Sequence, residues 1–367
     1  MTAPRILQVV LSLNPGGTER LVVELASRLH ASMPMAVCCL DEPGAWADRL
    51  RERGIGVTAL GRRPGFRPGV GRDVARAAAL HGAAVVHAHH YSPFVYSALA
   101  RLWQPSLRLV FTEHGRLSDA PPSPRRRLAN HMLALAAHRA FAVSADLREH
   151  LVGEGWRAGQ VGVIHNGIEV GSPPSAGDRA RVRAALGVTD DTFVVGTVAR
   201  LDPVKDLGVL VDAAGQLGTT RRVRLVIVGD GPEMLRLKQA AAACRTAEVT
   251  WLGHRDDARD WLAGFDVFVN SSTSEGVSLT ILEAMAAERP VVATRVGGTP
   301  EVVTEDSGRL VPARDPKALC AALHDLAADP ALRERLGRDA RRRVDRHFTL
   351  TRMVQDYADV YASLAPS

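Results

Sequence analysis

The stretch SEGVSLTILEAMAAERPVVATRVGG (274–298) decides how the chain is read. VSLTILEAMAA carries apolar residues at helical spacing, and PVVATRVGG is an apolar, β-branched run closing on glycine. A helix leading at once into a fully apolar strand is one step of an α/β repeat, with a parallel sheet covered on both faces. Two glutamates, Glu275 and Glu283, lie eight positions apart in it. Glu283 stands among Leu, Ala and Met, where a carboxylate is costly unless something bonds to it. Gly276 places Glu275 in the turn before the helix.

The same alternation extends in both directions. RILQVVLS, MAVCCL, AAVVHAHH, LRLVFTEHG, RAFAVS and VGVIHNG are short apolar runs ending in glycine or polar residues, and TERLVVELASRLH (18–30) has helical spacing. GSPPSAGD (171–178) breaks the pattern, which restarts with TFVVGTVAR. The chain therefore reads as two doubly wound α/β units. The first domain is expected over 1–172, a linker over 173–186 and the second domain over 187–350; TRMVQDYADVYASLA (351–365) is an amphipathic helix. At 367 residues the chain exceeds the roughly 250–300 that one core supports. Ligands of open parallel sheets bind beyond the carboxyl ends of the strands, so two facing sheets would form a cleft there.

Composition narrows the classes. No run approaches the ~20 apolar residues of a membrane span, and the N-terminus enters a strand-like run without a cleavage site. Four cysteines without ligand spacing suit buried thiols in a reducing cytoplasm. Residues 1–170 hold 20 arginines, no lysine and 13 acids, whereas the remainder has 26 basic and 27 acidic residues. That basic half suits an anionic membrane surface; without interleaved aromatics, nucleic acid is not expected.

The motifs favour an elongated anionic ligand. Were 275–283 all helical, the two glutamates would stand about 12 Å apart, beyond the roughly 5–9.5 Å of a glycosidase pair. They can hold opposite ends of one ligand, with a helix N-terminus between them to receive an anion. A nucleotide sugar matches: sugar hydroxyls, diphosphate, ribose diol. Equally, Glu283 could cap a neighbouring backbone group. VARLDPVKD places Arg200 and Lys205 five apart, suited to a diphosphate leaving group, although either alone is more often a surface ion-pair partner. IVGDGPE, with Gly229, and WLGHRDD are turns at strand ends, and Gly16 and Gly17 in NPGGTER would let a phosphate approach backbone, or simply make a tight turn. His114 ends a strand in FTEHG, where a histidine is more often structural than catalytic. HAHHY (87–91) does not converge on one metal, and no Asp-x-Asp pair occurs.

Together GGTER, FTEHG, AVSADL, VIHNGIE, VARLDPVKD, IVGDGPE, WLGHRDD and the 274–303 segment resemble glycosyltransferase family 4, over nearly the whole chain. The resemblance implies a GT-B fold: two Rossmann-like domains facing across a cleft, with the 351–365 helix packed back on the first. It implies a retaining, metal-independent, cofactor-free enzyme that moves a sugar from a UDP- or GDP-sugar to a glycan or lipid-linked acceptor in cell-envelope or exopolysaccharide synthesis. Glu283 would bind the ribose, Glu275 the donor sugar, and Arg200 and Lys205 the diphosphate. Gly276, Val277, Ser278 and Leu279 would offer backbone N–H groups, Gly229 would shape a donor turn, and His254 and Arg255 would flank the base. Gly16 and Gly17 would close over the phosphates, and His114 would sit against the sugar near the reaction centre. Thr18, Glu19, His89 and Arg116 are expected on the acceptor side. His138 stands where the family often has Asp, and a structural role is expected for it. The protein is expected in the cytoplasm, peripheral to the inner membrane face. A non-hydrolysing nucleotide-sugar epimerase and a non-catalytic binding subunit share the architecture; an epimer formed from donor alone, or absence of turnover, would identify them.

Overall fold

The computed structural model describes residues 3–116, 122–243 and 246–365. They form two compact units: residues up to 167 together with those from 351 onward, and residues 168–350.

The first unit is a seven-stranded parallel sheet of β1 (Ile6–Val10), β2 (Met35–Cys39), β3 (Gly56–Ala59), β4 (Val85–His89), β5 (Arg108–Glu113), β6 (Arg139–Ala142) and β7 (Val161–Val163), ordered β3-β2-β1-β4-β5-β6-β7. β1, β2 and β4 are buried at every position, as expected of strands covered on both faces. The second unit has six parallel strands, β8 (Phe193–Val198), β9 (Val223–Val228), β10 (Glu248–Gly253), β11 (Val267–Asn270), β12 (Val291–Thr294) and β13 (Gly308–Val311), ordered β10-β9-β8-β11-β12-β13. Val195, Leu225, Ile227, Val267 and Val292 pack there with Leu210, Leu319 and Leu323 from the helices Leu207–Gly218 and Pro316–Ala328. Each such side chain contributes roughly 1.5–3 kcal/mol by burial.

Both sheets reverse winding direction beside their first strand, between β1 and β4 and between β8 and β11. The crevice outside the strand ends at such a point is where doubly wound folds bind ligands.

Part of the span expected as a linker is structured. Ala176–Ala185 is a helix of the second unit, opened by a capping box of Ser175 and Asp178. Its Arg179 and Arg183 reach Asp266 at 2.6 and 3.1 Å, and Asp266 also accepts from Val194 N at 2.8 Å. The Pro/Gly/Ser composition marked only the approach to this helix. Between β10 and β11 the chain makes only a 3₁₀ turn, Asp260–Gly264. The last helix runs Leu350–Ser363, and its Tyr357 and Tyr361 are buried in the first unit. Among the described residues no helix is long and apolar enough to cross a membrane.

Candidate active site

In the second unit the site grows from the two loops at the reversal point. β8 runs into a 3₁₀ turn, Pro203–Lys205, and β11 into the loop that carries Glu275. The loops are stitched together: Thr273 N donates to Val204 O at 2.8 Å and Ser271 Oγ to Lys205 O at 2.9 Å. Lys205 Nζ thereby reaches Glu275 Oε1 at 2.5 Å, with the two side chains only 24% and 10% exposed. Ser272 Oγ (2.6 Å) and Asn270 Nδ2 (3.1 Å) donate to the same oxygen. All three bonds fall on Oε1, so the carboxylate is locked in place while Oε2 keeps its acceptor capacity.

Gly297 explains how the backbone of Glu275 is held. Its φ is +50°, and a Cβ there would press onto Glu275 O; Gly298 N donates to that same oxygen at 3.2 Å. Gly229 follows the same logic: at φ +136° it packs its Cα against Ala199 O, next to Arg200. Past Glu275, Gly276 and Val277 form the turn, Ser278 is the N-cap, and the helix Leu279–Ala286 begins. Ser278 makes no side-chain cap to the backbone, its Oγ lying 3.2 Å from Thr280 Oγ1. Glu283 is buried inside this helix, 6% exposed.

Other expected donor residues are placed differently. Arg200 is 76% exposed in its side chain and pairs with Asp202 instead of joining Lys205 on Glu275. Arg255 forms a two-bond pair with Asp257, at 2.7 Å each, and lies over the Trp261 ring. His254 is exposed beside Asp256.

In the first unit the strand ends gather histidines. His90, at the reversal point, adopts a left-handed φ of +70°, unusual for any residue but glycine. It is gripped on both sides: Nε2 lies 2.9 Å from Thr18 Oγ1 and Nδ1 lies 2.8 Å from Glu113 Oε1. Burial alone would lower its pKa, but the hydrogen bond and charge of Glu113, with Glu19 behind, raise it overall. His114 follows β5, with Nε2 2.9 Å from His89 Nδ1. His87, His89 and His114 are all held well below the usual imidazole range, chiefly by burial and then by the charge of neighbouring imidazoles, His90 among them.

Two expectations for this unit change. His89 is only 2% exposed and both its ring nitrogens are engaged, so it supports His114 rather than facing an acceptor. The space over Gly16 is taken by the carboxylate of Glu19, while Gly17 opens the helix Gly17–Leu29. An anion approaching that backbone must displace Glu19. Thr18 faces His90, and Arg116 is bound by both oxygens of Asp146 at 2.8 and 2.7 Å. His138 accepts from Leu109 N at 3.0 Å, a structural contact between β5 and the start of β6. Cys38 and Cys39 are buried, and burial pushes the Cys39 thiol up to about 12; Cys244 lies outside the described residues.

Sequence reasoning missed Gln8, Tyr357 and Tyr361. Gln8 is the one polar residue in an apolar strand, and the tyrosines stand four apart on an amphipathic helix, which were the available signals. It also missed a small pocket lined by Tyr91, Glu113, Arg126, Asn130, Glu154 and Trp156. Among the described residues no group of three or more His, Cys, Asp or Glu side chains is placed to hold a metal.

Comparisons agree with this architecture. Residues 15–171 match Glycosyltransferase Family 4, and residues 192–329 match Glycosyl transferases group 1. The chain is 30% identical to alpha-maltose-1-phosphate synthase of Mycobacterium tuberculosis over 94% of this chain and 95% of that protein. It is 33% identical to D-inositol 3-phosphate glycosyltransferase of Frankia alni, over 73% and 72% of the two chains. The corresponding Streptomyces bingchenggensis protein is 32% identical, and the match spans 66% of this chain and 57% of that one. The crystal structure of Anabaena Alr3699/HepE in complex with UDP and glucose superposes with a TM-score of 0.87 at 26% identity, covering 98% of this chain and 100% of that one. With two Rossmann-like parallel-sheet domains and these relatives, the chain belongs to glycosyltransferase family 4 and has the GT-B fold.

Proposed function

We propose that the protein is a retaining, metal-independent glycosyltransferase moving a sugar from a UDP- or GDP-sugar to a glycan or lipid-linked acceptor, in cell-envelope or exopolysaccharide synthesis. The carrying observation is Glu275, locked through Oε1 by Lys205, Asn270 and Ser272 at the reversal point of the second sheet. Oε2 accepts a donor-sugar hydroxyl. The diphosphate lies along the start of the helix Leu279–Ala286, where Gly276, Val277, Ser278 and Leu279 offer N–H groups and the helix dipole favours negative charge. Lys205 and Arg200 balance the charge that grows on the diphosphate as the glycosidic bond breaks. For this Arg200 leaves Asp202, which its exposure allows. Glu283 binds the ribose diol, His254 and Arg255 border the base, and His114 in the first unit accepts from a sugar hydroxyl.

The solved Anabaena relative holds UDP and glucose, which favours UDP over GDP. The names of the inositol phosphate relatives support a second reading of the acceptor, a small phosphorylated polyol. The 20 arginines of residues 1–170 support cytoplasmic action at an anionic membrane face; full transfer to a water-soluble acceptor without binding to anionic liposomes would remove that part.

Thermal stabilisation by UDP- and GDP-sugars is the first test. At a hundred times Kd the right donor adds about 2.7 kcal/mol. Nucleotide release is then followed with glycan, lipid-linked and polyol phosphate acceptors. No stabilisation by any nucleotide sugar refutes the donor site, and a new epimer formed from donor alone identifies an isomerase.

A further inference from the structure

Behind His114 runs a buried hydrogen-bond chain that ends on an unmatched atom. Gln8 Nε2 donates to Tyr361 OH at 3.0 Å, and Tyr361 OH lies 2.6 Å from His87 Nδ1. Gln8 Oε1 lies 2.7 Å from His89 Nε2, and His89 Nδ1 lies 2.9 Å from His114 Nε2. His114 Nδ1 is buried and has no hydrogen-bond partner among the described residues.

The directions follow link by link. An amide oxygen only accepts, so His89 donates from Nε2. Burial keeps His89 neutral, so its Nδ1 holds a lone pair and His114 must donate from Nε2. Burial keeps His114 neutral too, so its Nδ1 is left as a bare acceptor. The reverse polarity needs the Gln8 amide turned over. It would leave His114 Nδ1–H as a buried donor without acceptor, and orphaned N–H groups are the rarer kind. In the orientation that leaves His114 Nδ1 an acceptor, Tyr361 receives Gln8 Nε2 and gives its own proton to His87 Nδ1, whose Nε2 donates to Thr112 Oγ1 at 2.8 Å.

We propose that Gln8 and Tyr361 are positioning residues: through His89 they fix His114 in the Nε2–H tautomer, so that Nδ1 accepts a hydroxyl proton from the sugar substrate. The relay spans β1, β4, the end of β5 and the C-terminal helix, all in the first unit. The substrate half rests on the function proposed above; the tautomer half does not.

Long-range proton–nitrogen correlation NMR on the full chain with nitrogen-labelled histidine separates the two halves. His114 is assigned from the signals lost in His114→Gln. The wild type should show His114 Nδ1 as unprotonated and Nε2 as protonated. Tyr361→Phe, which keeps the ring, should yield a mixture of both tautomers and lower kcat about tenfold with the KM for donor little changed. Gln8→Leu should act likewise. A protonated Nδ1 in the wild type, or an unmixed tautomer in a folded Tyr361→Phe protein, overturns the proposal. The expected tautomer in a protein that no nucleotide sugar stabilises overturns the proposed function and the substrate half, leaving the relay standing.

Discussion

Replacing Gly297 by alanine perturbs Glu275 without altering any polar side chain of the site. Two effects are separable. Alanine held at φ +50° costs about 1 kcal/mol in backbone strain. The added Cβ also collides with Glu275 O, and since real Cβ contacts stay beyond 3.0 Å, the 275 or 297 backbone must retreat by about 1 Å. The oxygen that moves belongs to the residue whose carboxylate is fixed by three donors. Displacement of that size at a positioning group costs about a hundredfold in turnover. Gly187→Ala is the control: its φ is +62°, but nothing lies within 4 Å of the added Cβ. Gly187→Ala should lose about 1 kcal/mol, roughly 2–4 °C in Tm for a unit of this size, and Gly297→Ala about 1–3 kcal/mol more from the collision. Nucleotide release with the donor that stabilises the wild type should fall about a hundredfold in Gly297→Ala alone. If the two variants turn over within about threefold of each other, close backbone contact does not set the position of Glu275.

Other perturbations reach different parts of the molecule. Glu275→Gln should cut kcat by about 10²–10³ while nucleotide affinity holds, Lys205→Ala should lower both kcat and nucleotide affinity, and Glu283→Ala should chiefly weaken nucleotide affinity; calorimetry with UDP and GDP separates them, and unchanged affinity in Glu283→Ala contradicts the ribose assignment. Asp266→Ala strands Arg183 and the Val194 N–H in the interior and should destabilise the second unit by about 3 kcal/mol in urea unfolding. Stability should peak near pH 6.5. Below that, the unfolded chain binds protons that buried His87, His89 and His114 refuse, so stability falls by up to about 4 kcal/mol per pH unit as pH drops toward their lowered folded values. Above it, the raised pKa of His90 works the other way: its contribution is complete below 6.5 and is lost as pH climbs through the folded value. Urea midpoints from pH 5 to 8 check both limbs, and a profile rising steadily to pH 8 removes the His90 part.

Sequence alone carried the α/β repeat and the two units, because these follow from local signals. Buried parallel strands read as unbroken apolar runs, and loops at strand ends show glycine and charge against that background. Ala176–Ala185 carries a local helix signal in the Ser175–Asp178 capping box, but its proline-rich approach has the composition of a linker. What only the folded chain decided is pairing at long range. Nothing local in RILQVVLS indicates that Gln8 will meet Tyr361, 353 residues later, or that both stand behind His89 and His114. Nor could periodicity reveal that Glu19 covers Gly16, or that Arg200 turns to Asp202 while Lys205 holds the carboxylate. Secondary structure is written in spacings of two to four residues, whereas the proton on a buried imidazole is set by whichever distant groups the sheet brings within 3 Å of it.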